Sequence, residues 1–113
     1  MTFPNIVREQ GFIEVLLDAF EKCVSEMRVE FVLDFDRFKE VIGIEILDLV
    51  ADAGDNCLHT LNKSSTNYSY DEESDAFYLR LNEGTSSDQE AVEGTLLMDN
   101  EGQIVGFRAR FAN

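Results

Sequence analysis

From residue 68 to residue 111 the chain runs YSYDEESDAFYLRLNEGTSSDQEAVEGTLLMDNEGQIVGFRARF, a series of short alternating segments separated by acidic, glycine-marked turns. A side-chain period of two suits a strand with one buried face and does not suit a helix over the same residues. Phe77, Leu79 and Leu81 fall on one side, with Tyr78, Arg80 and Asn82 on the other. Val105, Phe107, Ala109 and Phe111 likewise stand opposite Gly106, Arg108 and Arg110. Tyr68 and Tyr70 open a strand, residues 71–75 turn, and residues 76–81 return. Short strands are expected at 89–92 and 95–98 around a turn at Glu93-Gly94. Asp99-Asn100-Glu101-Gly102 then places a glycine where a hairpin turn needs a positive φ. The stretch reads as a small antiparallel sheet.

Upstream, residues 10–27 show a helical period. Phe12, Ile13, Leu16, Leu17, Phe20, Cys23, Val24 and Met27 recur at three- and four-residue steps, with Asp18 and Lys22 as a favourably ordered i,i+4 pair. An amphipathic helix of this kind has to bury its apolar stripe, and a sheet face is the natural acceptor. The period changes to two at residues 28–35, residues 36–40 turn, and VIGIEIL at 41–47 is rich in β-branched residues and is assigned to a strand. A helix starting near Arg37 is the competing assignment, because Phe38, Ile42, Ile46, Leu49, Val50 and Ala53 also fit a helical stripe. Residues 48–61 suggest a short helix interrupted at Gly54-Asp55-Asn56. The polar run at 62–67 is the best connector between halves. The expected fold is therefore α+β in a single domain of 113 residues. It has a long N-terminal helix packed on an antiparallel sheet built from two related strand–turn–strand units, at 29–47 and 68–111.

The relation between the units is visible at an offset of 63 positions. Val29-Glu30 meets Val92-Glu93, Asp36 meets Asp99, and Val41-Ile42-Gly43 meets Ile104-Val105-Gly106. YDEESDAFYLRLNEG followed by VEGTLLMDNEGQIVGF resembles a small prokaryotic family, domain of unknown function 2283. The matching residues are Tyr70, Asp71, Glu73, Asp75, Ala76, Tyr78, Leu79, Leu81, Gly102, Ile104, Val105 and Gly106. The family's Val-Gly-Ile-Glu-Ile-Leu ending is kept in the first unit, at Gly43-Ile44-Glu45-Ile46-Leu47. The second unit departs from it with Arg108 and Arg110 where the first has Glu45 and Leu47. The resemblance implies a fold and no activity. It also implies a neighbourhood, since such proteins are thought to be encoded beside small, basic, toxin-like proteins.

Charge narrows the function classes. Asp and Glu number 23 against 9 Lys and Arg, for a net charge of −14. Such a field repels phosphate backbones, so direct nucleic-acid binding is disfavoured unless cations cluster on one face, and it favours a basic partner protein, a bound cation or simply a solvated acidic surface. With 44% hydrophobic residues and nine Phe, the chain can still bury a core. The N-terminus lacks a basic n-region and an apolar h-region, and no apolar run approaches a membrane span, so the expectation is cytoplasmic, with no membrane contact. Exposed edge strands make a homodimer through sheet extension a further expectation.

No catalytic constellation is legible. Phosphate loops, nucleophile elbows and dinucleotide fingerprints are missing, and no cofactor is expected. His59 is the only histidine, and Cys23 and Cys57 lack metal-ligand spacing. Asp71, Glu73 and Asp75 could hold a hard cation, but they lack the alternating ligands and distal Glu of a calcium loop, and hydrogen-bonded turn residues are the simpler assignment. Tyr78, Arg80, Arg108 and Arg110 form the candidate ligand or partner patch, a cationic stripe if their strands pair. The leading functional expectation is a non-enzymatic module binding a basic protein. The alternatives are a metal- or anion-dependent enzyme using the acidic turns or the arginines, and a nucleic-acid mimic.

Overall fold

Alternation governs almost the whole chain, the N-terminal region included. The computed structural model describes residues 3–63 and 66–112. Eight strands, β1 (Asn5–Glu9), β2 (Phe12–Leu16), β3 (Ser25–Phe35), β4 (Val41–Leu47), β5 (Asn67–Asp71), β6 (Ala76–Arg80), β7 (Asp88–Met98) and β8 (Ile104–Arg110), make one antiparallel sheet. Their spatial order is β1-β2-β8-β7-β3-β4-β6-β5. β3 and β7 pair along their whole length, with Glu30 opposite Glu93 at the centre. Each then gains its outer neighbour only half-way along. β4 meets β3 at residues 32–35, and β8 meets β7 at residues 94–98. The result is a half-barrel with two arms, a first arm of β1, β2 and β8 and a second of β5, β6 and β4.

The core lies between the arms. Ile13 and Val15 from β2 share one buried cluster with Phe107 from β8, Ile44 and Ile46 from β4, and Phe77 and Leu79 from β6. Aromatic rings cross the gap: Phe31 meets Phe107 edge-on at 6.2 Å, Phe107 stacks on Phe77 at 5.8 Å, and Phe77 stacks on Tyr68 at 5.9 Å. Two short helices, α1 (Leu49–Ala53) and α2 (His59–Lys63), and the turn between them add Leu49, Leu61 and Cys57 to the same core. Of the expected connector at 62–67, residues 64–65 lie outside the described residues, Asn62 and Lys63 end α2, and Asn67 begins β5.

The long N-terminal helix expected at 10–27 does not form, and the fold is mainly antiparallel sheet rather than α+β. Those residues make β2, a 3-10 turn at Phe20–Lys22 and the start of β3. The cause is an apolar strand end with two buried faces. Ile13, Val15 and Leu17 point into the core, while Leu16 points outward and is buried against Leu97 and Val105 in a second, small cluster. Consecutive apolar residues of this kind imitate a helical stripe. Asp18 and Lys22 do pair, at 3.0 Å, but within the β2–β3 loop. Phe20 and Val24, placed on the stripe by spacing, are 49% and 64% exposed.

A second correction concerns Glu93-Gly94, which is no turn. β7 runs unbroken from Asp88 to Met98. Gly94 is there because the Phe31 ring lies against its Cα, where a Cβ would collide with it.

The 63-residue offset relates β3 to β7 and β4 to β8, and each pair shows the same pattern of buried and exposed positions residue by residue. The turns match atom by atom. Asp36 Oδ1 accepts the backbone N–H groups of Phe38 (2.9 Å) and Glu40 (3.0 Å), as Asp99 Oδ1 accepts those of Glu101 (2.9 Å) and Gln103 (2.9 Å). Ile42 and Val105 are both extra residues where the register shifts. Their carbonyls accept the N–H groups of Leu81 and Leu17, each at 2.8 Å. One mismatch carries a cost. Lys39 has φ +67°, where its counterpart Gly102 has φ +77°.

Two substitutions check this account by urea unfolding. Lys39→Gly is expected to stabilise the protein by about 1 kcal/mol, because a non-glycine side chain is strained in the left-handed region. Gly94→Ala is expected to destabilise it by about 2–3 kcal/mol, because the new methyl must displace a fully packed ring.

Candidate functional site

Strand pairing sets side chains in rows across the outer, solvent-facing side of each arm. On the first arm one row reads Val7, Glu14, Arg108, Thr95, Arg28, each residue opposite the next. On the second arm the matching row reads Ser69, Tyr78, Glu45, Val32, Ala91. The two rows occupy corresponding places in the two halves, so their differences in chemistry are not imposed by the backbone.

The first-arm row is cationic but largely neutralised. Arg108 Nε donates to Glu14 Oε2 at 3.0 Å, and its Nη1 is 3.8 Å from Glu26 Oε2. Arg28 is 3.6 Å from Glu93. Arg110 lies over the Phe12 ring at 5.1 Å, and Arg108 over Phe20 at 5.9 Å. Arg28, Thr95, Arg108 and Arg110 line a shallow cleft of about 280 Å³.

The four residues of the expected patch are therefore divided. Arg108 and Arg110 are on β8, whereas Tyr78 and Arg80 are on β6, with β7, β3 and β4 in between. No common stripe forms. Tyr78 and Arg80 belong instead to a network that sequence reading did not find, centred on Asp34. This carboxylate is 8% exposed. Its Oδ1 accepts from Ser86 Oγ (2.8 Å) and Gln89 Nε2 (3.0 Å), and its Oδ2 accepts from the Tyr78 hydroxyl (2.9 Å). The Tyr78 ring is seated against Gly43, which has no Cβ to obstruct it. Arg80 lies 5.8 Å from the Tyr78 ring centre and donates to the carbonyls of Asn82 and Gly84 at 3.3 and 3.5 Å. The network ties the loop before β7 to the sheet. One signal for it was available: Asp34 stands where the other half carries Leu97.

Electrostatics follow from these contacts. Burial alone would raise the Asp34 pKa. The hydrogen bonds from Ser86, Gln89 and Tyr78, with the charge of Arg80, outweigh it and hold Asp34 below the usual carboxylate range. Tyr78 is pushed up to about 12, by burial first and then by its bond to Asp34.

The acidic turn at 71–75 has a structural task. Asp75 Oδ1 accepts the Val50 N–H (2.9 Å) and the Tyr70 hydroxyl (2.6 Å), and its Oδ2 accepts the Ala51 N–H (2.9 Å). It therefore caps α1 from another part of the chain. Asp71 Oδ1 accepts the Glu73 N–H at 3.0 Å, closing the turn on itself. Glu73 is exposed. Among the described residues no group of three or more His, Cys, Asp or Glu side chains is placed to hold a metal ion. The Tyr70 hydroxyl is pushed up to about 12, chiefly by its hydrogen bond to Asp75.

Cys57 is fully buried while His59 is exposed. The thiol is pushed up to about 11, by burial first and then by the Asp75 charge, which suits a core residue and not a nucleophile. Cys23 lies apart, its thiol directed at the Ser25 carbonyl. Among the described residues no helix is long and apolar enough to cross a membrane.

The pH response of stability tests these assignments. Asp34 and Asp75 have folded pKa values below their unfolded ones. Their contribution is present above about pH 4 and is lost as pH falls through the folded values. Tyr70 and Tyr78 have raised values, so their contribution is intact below about pH 10 and is lost as pH rises through about 12. Absorbance at the tyrosinate band should show both phenols ionising about two units late, and Asp34→Asn should bring Tyr78 back toward the ordinary value.

Residues 67–108 match the family model described as "Protein of unknown function (DUF2283)". No curated protein and no solved structure matches the chain. The matched residues begin at the head of β5 and run into β8, taking in the turn that caps α1, Tyr78 but not its partner Asp34, and the Asp99 hairpin. Over residues 67–108 the chain is similar to the DUF2283 family of proteins of unknown function.

Proposed function

We propose that this chain is a non-enzymatic binding module that holds a basic protein on the outer face of its second arm. The observation that carries this reading is the contrast between the two matched rows. Where the first arm has Arg108 and Arg28, the second has Glu45 and Ala91. Around them stand Tyr78, Val32, Glu30 and Leu47, the last 55% exposed. Apolar and aromatic side chains edged by carboxylates suit an interface whose partner brings Lys and Arg. The net charge of −14 adds long-range attraction for the same kind of partner. The chemical groups that could support an enzymatic reading are already engaged, the acidic turns in closing loops and capping α1, and Arg108 in ion pairs.

The test is capture of a basic protein from the native host on immobilised protein, followed by titration of the purified partner. Binding is expected at about 50 mM salt and is expected to weaken strongly by about 0.5 M, where exposed charges are screened within a few ångströms. A Glu45→Arg/Leu47→Asp variant, checked for folding by circular dichroism, should weaken binding about 100-fold or more. Equal binding by this variant would remove the second-arm face from consideration.

A further inference from the structure

The segment that carries α1 and α2 is seated on four residues of the second half. Asp48 leads into α1, and Asp75 accepts the N–H groups of Val50 and Ala51. Gln103 accepts the Thr60 hydroxyl at 2.8 Å, and Ile104 N–H donates to the Cys57 carbonyl at 2.9 Å. The offset of 63 residues puts Phe111, Glu40 and Val41 in the places of Asp48, Gln103 and Ile104. Gly11, the last turn residue before β2, stands where Asp75 precedes β6, and both have a positive φ. The bonds agree: Phe111 N–H donates to the Gly11 carbonyl as Asp48 N–H does to that of Asp75, each at 2.9 Å. Yet among the described residues no segment covers these four positions in the first half. They line a cleft of about 370 Å³ instead, together with Glu9 and Phe12.

The tip of the β3–β4 hairpin stands beside this cleft, since Glu40 is on its wall. Phe38, at the tip, is 72% exposed, more than any other large apolar side chain among the described residues. The Arg37 guanidinium lies over its ring at 4.8 Å. The sister hairpin closes with the same hydrogen bonds but has Asn100 and Glu101 in these two places, so the turn itself requires neither the ring nor the cation. Among the described residues no carboxylate is within ion-pair distance of Arg37, and no cation is that close to Glu9. An exposed ring and a cation without a counter-charge therefore stand next to an aromatic-walled cleft that carries a carboxylate without one.

We propose that two copies of the chain exchange these tips, Phe38 of each entering the other's cleft beside Phe12 and Phe111 while Arg37 meets Glu9. Ring and cleft are neighbours, so a single two-fold axis completes both contacts and assembly closes at a dimer. Charge selects a second copy as the occupant. A net charge of −14 keeps copies apart over most of the surface, but on the tip and the cleft rim Arg8, Arg37 and Lys39 balance Glu9, Asp36 and Glu40. A basic partner would bring no carboxylate for Arg37. The two rings supply the apolar burial, and the ion pairs fix the orientation. A contact this small belongs with the transient interfaces, so the dimer is expected at about 0.1 mM and not at about 1 µM.

Sedimentation equilibrium of the full chain, from about 1 µM to about 0.5 mM, is expected to show a reversible monomer–dimer equilibrium. Phe38→Ala, Arg37→Glu and Glu9→Arg each change an exposed side chain and should leave the fold intact by circular dichroism. Each should weaken the dimer at least about tenfold, because every substitution counts twice in a two-fold contact. The double variant Arg37→Glu/Glu9→Arg should recover the dimer. So should an equal mixture of the two single charge variants, since in the mixed dimer both tips again face an opposite charge. A monomer at every concentration, a mass that grows beyond two copies, or a dimer indifferent to Phe38→Ala would overturn the exchange. So would a double variant or mixture that stays monomeric. The Glu45→Arg/Leu47→Asp variant should dimerise as the natural chain does. Loss of the dimer in that variant would place the contact on the second-arm face and overturn the tip exchange, whereas failure to capture a basic protein leaves it standing.

Discussion

The pairing of β3 with β7 is the contact on which the rest of this structure depends. Each half of the chain consists of two hairpins that do not pair with each other, β1–β2 and β3–β4 in one, β5–β6 and β7–β8 in the other. They are joined only across the halves, through β2–β8, β3–β7 and β4–β6. The residues matched by the family model therefore contain two hairpins whose connecting strands come from elsewhere in the chain. At the centre of the long pair Glu30 faces Glu93, both exposed, an arrangement that costs a few tenths of a kcal/mol. What holds the centre is on the inner side, where Phe31 covers Gly94 and meets Phe107. Missing bulk on one strand makes room for an aromatic ring on the next, and the two arms can then close over one core. Because these contacts join residues far apart in sequence, folding must close long loops before it gains them, which favours slow folding.

The same economy governs the outer surfaces. Gly43 and Gly106 occupy corresponding positions beside the two register shifts, and each lets a neighbouring group approach the sheet. At Gly106 the neighbours are the Val15 carbonyl and the side chains of Leu97 and Leu16, which make the small outer apolar cluster. At Gly43 the neighbour is Tyr78, whose hydroxyl reaches Asp34. One scaffold position thus supports an apolar cluster in one half and a polar network in the other. Both fasten the loop that returns to the long strands: Val24 N–H bonds the Met98 carbonyl, and Ser87 N–H bonds the Phe35 carbonyl, each at 2.8 Å. The polar version needs all its donors, since a buried carboxylate left with one vacant oxygen would cost more than an apolar replacement.

Sequence patterns were informative where one face of a strand is buried and the other is wet. The strand at Ala76–Arg80 is of this kind; the strand at 41–47, buried on both faces over residues 41–44, was legible instead from its β-branched residues, and the competing helix from Arg37 does not occur. The patterns misled where both faces are buried, as at Leu16, and where a glycine serves packing rather than a turn, as at Gly94. The candidate site was less legible. The swap of Glu45 and Leu47 for Arg108 and Arg110 was visible from the offset alone. The separation of Arg80 from Arg108, on different arms, was not recoverable, because it requires the strand order, and local periodicity carries no information on which hairpin crosses to which half. Asp34 was hidden for a related reason: its donors come from β6, the following loop and β7, which are 44 to 55 residues away.

The two outer faces also differ in how their charges are satisfied. On the first arm, Arg108 has Glu14 and Glu26 within ion-pair distance, and Arg28 has Glu93. On the second arm, among the described residues, neither Glu30 nor Glu45 has a cation that close. Carboxylates held near one another without counter-charges raise each other's energy, modestly at a wet surface and more strongly as water is removed. A face of that kind repels any acidic surface and gains most from a partner whose own cations lack counter-charges. Exposed pairs of this sort contribute little to the final affinity, so the apolar residues Val32, Leu47 and Tyr78 have to supply most of it. The carboxylates instead govern the rate and selectivity of encounter. Such a division fits a chain whose core positions match across its halves while its outer rows diverge, since the core fixes the spacing of the rows and leaves their chemistry free to differ.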